Sequence, residues 1–159
     1  LDVDGVMTDG RLYYGPRGEV LKVFNVRDGL GIRKLLEAGV EVAVISGRRS
    51  AMVARRCREL GIKHVLQGRD DKGPVLEGLL KRLRLMASEL ACVGDDIVDV
   101  PMLEQAGLAF AVADAHPSAC QAAHRVTKLS GGRGAVREVC DYLLAARSAG
   151  SPRAVHHKP

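Results

Sequence analysis

Leu1–Gly10 reads LDVDGVMTDG. One leucine is followed at once by two aspartates, Asp2 and Asp4, with only Val3 between them. Carboxylates placed directly behind apolar residues mark the point where a buried strand ends and the chain turns. Such a strand needs several apolar residues ahead of its polar end, so a few more residues are expected before Leu1. The same pattern recurs further along. EVAVIS (Glu41–Ser46) is nearly all apolar and runs into Gly47 and Arg48; ELACVGDD (Glu89–Asp96) is apolar and ends in two acids.

Between these strands the sequence changes period. RLYY, GPRG and VLKVFNV read as a β-hairpin over Arg11–Asn25, turning at Gly15-Pro16. Asp28 is placed to cap a helix from Gly29 to Ala38, which Gly39 ends. Helices are also expected over Ser50–Leu60, Lys72–Leu83, Val98–Ala106, Ser118–Ala123 and Ala135–Ala146. HVLQG, LAFAV and RVTKL read as the remaining strands. Strands alternating with helices specify an α/β fold: a Rossmann-like parallel sheet with helices on both faces. The hairpin is expected to project as a flap. One domain over residues 1–146 is expected, with a disordered tail over 147–159.

Composition narrows the class. The chain has 159 residues, enough for a sizeable core, and aromatic residues make up 3% of it, so that core is aliphatic. No apolar run reaches the length of a membrane span. The four cysteines, Cys57, Cys92, Cys120 and Cys140, lack zinc-like spacing and read as reduced, mostly buried thiols, which suits a cytoplasmic protein. The net charge of +5 includes a basic tail, and no basic run is interleaved with aromatics. A small anionic substrate accounts for the arginines better than a nucleic acid does.

In a parallel sheet the ligand site lies beyond the carboxyl ends of the strands. Asp2, Asp4, Ser46, Lys72, Asp95, Asp96 and Asp99 are all expected at that edge. Converging carboxylates repel one another, and burial sharpens the conflict. A divalent cation removes it, and an all-oxygen donor set favours Mg²⁺. Lys72 and Ser46 then suit a phosphate, one by charge and one by hydrogen bond. One aspartate can attack phosphorus while the other, two residues on, handles protons, since strand side chains repeat with period two.

At these residues the chain resembles the haloacid dehalogenase-like phosphatases, which use a DxD, a Ser or Thr, a Lys and a GDD-type acid pair in this order. The resemblance implies Asp2 as nucleophile and metal ligand. It implies Asp4 as acid/base, with its main-chain carbonyl on the metal, and Asp95 as a further ligand. Ser46 and Lys72 would bind phosphate, and Asp96 and Asp99 would support the loop. The spacing leaves no room for a cap domain. The stretches DVDGVMTDG, FNVRDGLGIR, ISGRR, GDDIVDVPM, VADAHP and SGGRGAVREVCD are similar to the capless 3-deoxy-D-manno-octulosonate 8-phosphate phosphatases. That family implies a homotetramer in which the hairpin covers a neighbouring site. It also implies a substrate side lined by Asn25, Val26, Arg27, Asp28, Gly29, Arg33, Arg48 and Arg56. Three alternatives stay open. One is a phosphatase for 2-keto-3-deoxynononate 9-phosphate, against which Arg49 stands where an acid is expected. The others are a non-catalytic oligomerisation domain and a phosphoacceptor receiver domain.

Overall fold

The computed structural model describes residues 1–150. Its strands are β1 (Tyr13–Gly15), β2 (Gly18–Leu21), β3 (Ala43–Ser46), β4 (His64–Gln67), β5 (Ala91–Gly94), β6 (Leu108–Ala111) and β7 (Arg125–Val126). The helices are α1 (Val26–Glu37), α2 (Ala51–Leu60), α3 (Lys72–Leu83), α4 (Val100–Gln105), α5 (Pro117–Ala122) and α6 (Ala135–Gly150). Strands β3 and β4 pair in parallel, as do β5, β6 and β7. Leu1 and Asp2 join the two halves. The Leu1 amine donates to Ala43 O and Ile45 N–H to Leu1 O, while Asp2 N–H donates to Val93 O. The result is one six-position sheet with Leu1-Asp2 at its centre.

Period two along each strand sorts the core. Val44, Val93 and Phe110 pack with Ile32, Leu35, Cys57, Val136 and Val139 from α1, α2 and α6. Their neighbours Ile45, Cys92 and Ala109 pack on the other face with Leu76, Met102, Leu103 and Ala119 from α3, α4 and α5. Helices on both faces follow from this alternation, as the apolar runs predicted. No domain is inserted between Asp4 and Ser46 or between Ser46 and Lys72 among the described residues.

Four details differ from the sequence reading. Helix α1 begins at Val26, not Gly29: Asn25 is its N-cap, its side chain accepting from Arg27 N–H at 2.8 Å. Asp28 is drawn elsewhere, since its Oδ1 accepts Arg137 N–H at 2.8 Å in the first turn of α6. The free N–H groups at that helix start need an acceptor, and Asp28 is the buried one within reach. Helix α6 runs to Gly150, four residues past the expected boundary, and Arg147 reaches Ala38 O. Residues 151–159, the rest of the expected tail, lie outside the described residues. The final strand is only Arg125–Val126, because Lys128 and Leu129 N–H turn to the Glu138 carboxylate.

The hairpin stands off the sheet with a register shift between Tyr13 and Tyr14. Tyr14, Val20 and Val23 are each more than half exposed, whereas Lys22 is buried.

Candidate active site

The site is built at the carboxyl edge of the sheet. Asp2 closes the central segment and is buried. After Val3 the chain makes a tight turn, with the N–H groups of Val6, Met7 and Thr8 all directed at Val3 O. Asp4 therefore reaches the edge through this turn and not through strand periodicity, which corrects the sequence reading. The turn needs Gly5, whose φ is +99°; a Cβ there would lie 2.0 Å from Asp95 Oδ2. The turn also rests on the loop before α6: Gly132 N–H donates to Val6 O, and a Cβ on Gly131 would lie 1.6 Å from Gly5 O.

Ser46 ends β3 and is buried, its Oγ accepting Arg48 N–H at 3.3 Å. Lys72 is the first residue of α3 and is 2% exposed. Its ammonium donates to Asp2 Oδ1 at 2.5 Å and to Asp99 Oδ1 at 2.6 Å. The other Asp99 oxygen accepts the N–H groups of Asp95 at 2.9 Å and Asp96 at 3.2 Å. Asp99 thus anchors the loop after β5, and Asp96 caps the 3₁₀ turn Ile97–Asp99.

One cleft of about 170 Å³ is lined by Asp2, Asp4, Ser46, Arg48, Lys72, Asp95 and Asp96, together with Gly47, Asp70 and Val98. Asp70 was missed in the sequence; adjacent to Asp71 in a loop, it carries no signal that separates it from a solvated charge. Asn25–Gly29, Arg33 and Arg56 do not line the cleft within one chain. Asp28 is committed to α6, and Arg56 lies across Gly29 beside Glu59.

Carboxylate oxygens of Asp2, Asp95 and Asp99 lie within 4.8 Å of one another. Burial pushes Asp95 up to about 8, and the charges of Asp2, Asp99 and Asp96 add to it. Burial likewise raises Asp2 to about 6, although Lys72 opposes it. Lys72 is held down by burial, but Asp2 and Asp99 outweigh that and raise it overall. More negative charge therefore converges here than one ammonium balances. Asp99 serves Lys72 and two backbone donors and Asp2 Oδ1 shares the same ammonium, while Asp95 has no ion pair among the described residues. No hydrogen bond among the described residues is directed at Asp4 O. This oxygen set fits a hard divalent cation.

Over residues 61–138 the chain matches the family model of the haloacid dehalogenase-like hydrolases. It is 52% identical over 147 residues to the 3-deoxy-D-manno-octulosonate 8-phosphate phosphatase of Escherichia coli, covering 92% of this chain and 78% of that protein. The chain belongs to this phosphatase family. The crystal structure of the Yersinia pestis family member superposes with a TM-score of 0.90 at 51% identity, covering 92% of this chain and 80% of that one. The Moraxella catarrhalis member, solved with magnesium ion, phosphate ion and KDO, gives a TM-score of 0.89 at 43% identity, covering 91% and 83%. Family membership makes the chain a phosphatase. It sets aside the receiver and the non-catalytic domain, since the motif residues those readings would lose or reorder are all present.

Proposed function

We propose that the protein hydrolyses 3-deoxy-D-manno-octulosonate 8-phosphate to the free sugar acid and phosphate, with Mg²⁺, through an aspartyl-phosphate intermediate. The observation that carries this is the convergence of Asp2, Asp4, Ser46, Lys72 and Asp95 on one cleft. Asp2 is the nucleophile: a carboxylate oxygen bonds to phosphorus as the ester bond breaks. Asp4 gives a proton to the departing sugar oxygen and then takes one from the water that opens the acyl phosphate. Ser46 and Lys72 hold phosphate oxygens, and Lys72 keeps Asp2 in place. Asp2, Asp95 and the Asp4 carbonyl would hold Mg²⁺, with Asp96 and Asp99 supporting the loop. When bound, the ion neutralises these acids and withdraws charge from the phosphate.

The substrate carries a carboxylate besides its phosphate. Arg48 lines the cleft, and Arg49 lies over Gly68 close by. Guanidinium groups suit both anions. Asn25, Val26, Arg27, Gly29, Arg33 and Arg56 meet a substrate only from a neighbouring subunit. The exposed apolar flap supports a homotetramer, and we place the enzyme in the cytoplasm at a step of lipopolysaccharide precursor synthesis. The test is phosphate release from a panel of sugar phosphates with Mg²⁺. The octulosonate ester should exceed the others in kcat/KM by about tenfold or more. A preference for 2-keto-3-deoxynononate 9-phosphate would replace the substrate while keeping the chemistry.

A further inference from the structure

Lys22 lies in VLKVF, just past the end of β2, where a lysine among apolar neighbours is expected to turn to solvent and its neighbours inward. The structure inverts this. The Lys22 side chain is 1% exposed, while Val20, Leu21 and Val23 face outward. Its ammonium contacts Asp4 Oδ1 directly and lies 3.0 Å from Glu19 Oε1. Arg48 completes the arrangement, with Nε 3.7 Å from Asp4 Oδ2 and a terminal nitrogen 3.5 Å from Glu19 Oε2. Two acids and two bases thus form a closed ring in which each cation touches both acids. Two members belong to the flap, and two belong to the loops after the central strands. Arg48 also donates to the Tyr14 hydroxyl at 3.4 Å, a second tie between flap and sheet edge.

We propose that Lys22 is a positioning residue for the phosphatase reaction, orienting the Asp4 carboxyl and locking the flap to it. The inference rests on the acid/base role given to Asp4. Lys22 does not line the cleft and is buried behind Asp4, so it acts through that carboxyl and not on the substrate. By engaging Oδ1 it fixes the rotamer and leaves Oδ2 on the side of Arg48, which lines the cleft. Glu19 offsets the ammonium charge, so the ring supplies geometry with no net charge of its own. A buried lysine without these acids would be costly, which ties the flap's seat to the presence of Asp4. In the step concerned, an Asp2 oxygen bonds to phosphorus and the P–O ester bond breaks, its electron pair going to the leaving oxygen. The Asp4 proton passes to that same oxygen. Seating the flap and aiming the proton donor are then one event.

The leaving group tests this. Benzyl phosphate releases an alkoxide that needs the proton; p-nitrophenyl phosphate, of similar size, releases a phenolate that does not. The ratio of their kcat/KM values with Mg²⁺ reports proton donation and is blind to general loss of active protein. In Lys22→Met, benzyl phosphate should lose about a hundredfold, the scale of a misplaced proton donor, and p-nitrophenyl phosphate only about threefold. Lys22→Arg should recover most of the ratio. Glu19→Gln, which keeps an oxygen for Lys22, should move the ratio in the same direction by less, and it carries the test if Lys22→Met fails to fold. An unchanged ratio in Lys22→Met, or equal losses on both esters, overturns the proposal and makes Lys22 a structural lysine. A wild-type enzyme that cleaves neither ester nor the sugar phosphate overturns the reading of Asp4 as well.

Discussion

The sheet and the flap obey opposite rules. In the sheet, apolar side chains fill both faces and the charges collect at one edge, where Lys72, Asp2 and Asp99 satisfy one another. In the flap, Lys22 and Glu19 turn inward to Asp4 and Arg48, and Tyr14, Val20, Leu21 and Val23 face outward. A sheet inside a single domain needs only its own helices to cover it. A flap with its apolar side outward leaves a surface that a partner would cover. The homotetramer proposed above would add walls to a cleft whose Asp2, Asp4, Ser46, Lys72 and Asp95 already meet within one chain.

Asp2→Asn tests the catalytic half most severely. Phosphate release should fall by about a thousandfold or more, since an amide cannot form the acyl phosphate, while the circular dichroism melt stays cooperative. Substantial turnover would remove Asp2 from the nucleophilic role.

Lys72→Met should cost stability as well as activity. It strands two buried carboxylates, which typically costs about 3–5 kcal/mol, and urea unfolding would measure the loss. A variant as stable as the wild type would mean that Asp2 and Asp99 find other partners.

The metal supplies a pH-dependent test of the same edge. Asp2 at about 6 and Asp95 at about 8 lie above their ordinary values, so the folded metal-free protein binds more protons than the unfolded chain. Its stability from these groups is full at low pH and is lost as pH rises toward about 8. Mg²⁺ held by these carboxylates would replace those protons. The rise in Tm on adding Mg²⁺ should accordingly be larger at high pH than at low pH, by differential scanning calorimetry. A rise independent of pH would contradict a carboxylate site.

The flap gives the smallest change in the stability of a subunit. Val20→Ser with Leu21→Ser removes exposed apolar surface, so each should alter subunit stability by less than about 0.5 kcal/mol. The same pair should dissociate the proposed tetramer, read by light scattering. A tetramer that survives would place the subunit contacts elsewhere.

What was legible in the sequence divides along the same line. EVAVIS and ELACVGDD announced buried strands because strands covered on both faces are apolar throughout, and their polar ends announced the site. The places of Asp2, Ser46 and Asp95 at the sheet edge could be read because strand ends fix position almost regardless of the loops, and that of Lys72 because it opens a helix. Lys22 could not. A lysine within an apolar run reads as the outward residue, and only the tertiary pairing with Asp4 and Glu19 reverses it. Asp28 was misread for a similar reason: its sequence neighbours suggest a local cap, but its acceptor role goes to Arg137, 109 residues away. Asp4 was placed correctly by an incorrect argument, since a turn brings it to the edge and not the pleat.

The seat of the first turn against the Gly131-Gly132 loop bears on how the protein is made. The turn carrying Asp4 and Gly5 leaves a ribosome long before the loop that buttresses it, which comes near the end of the described residues. Contacts so distant in sequence form late, after shorter-range helices and strand pairs. A nascent chain stopped before Gly131 can fold much of its sheet and still lack the wedge that shapes the Asp4 turn. Such a chain, stalled at Ser130 and assayed while tethered, should be compact and devoid of phosphatase activity.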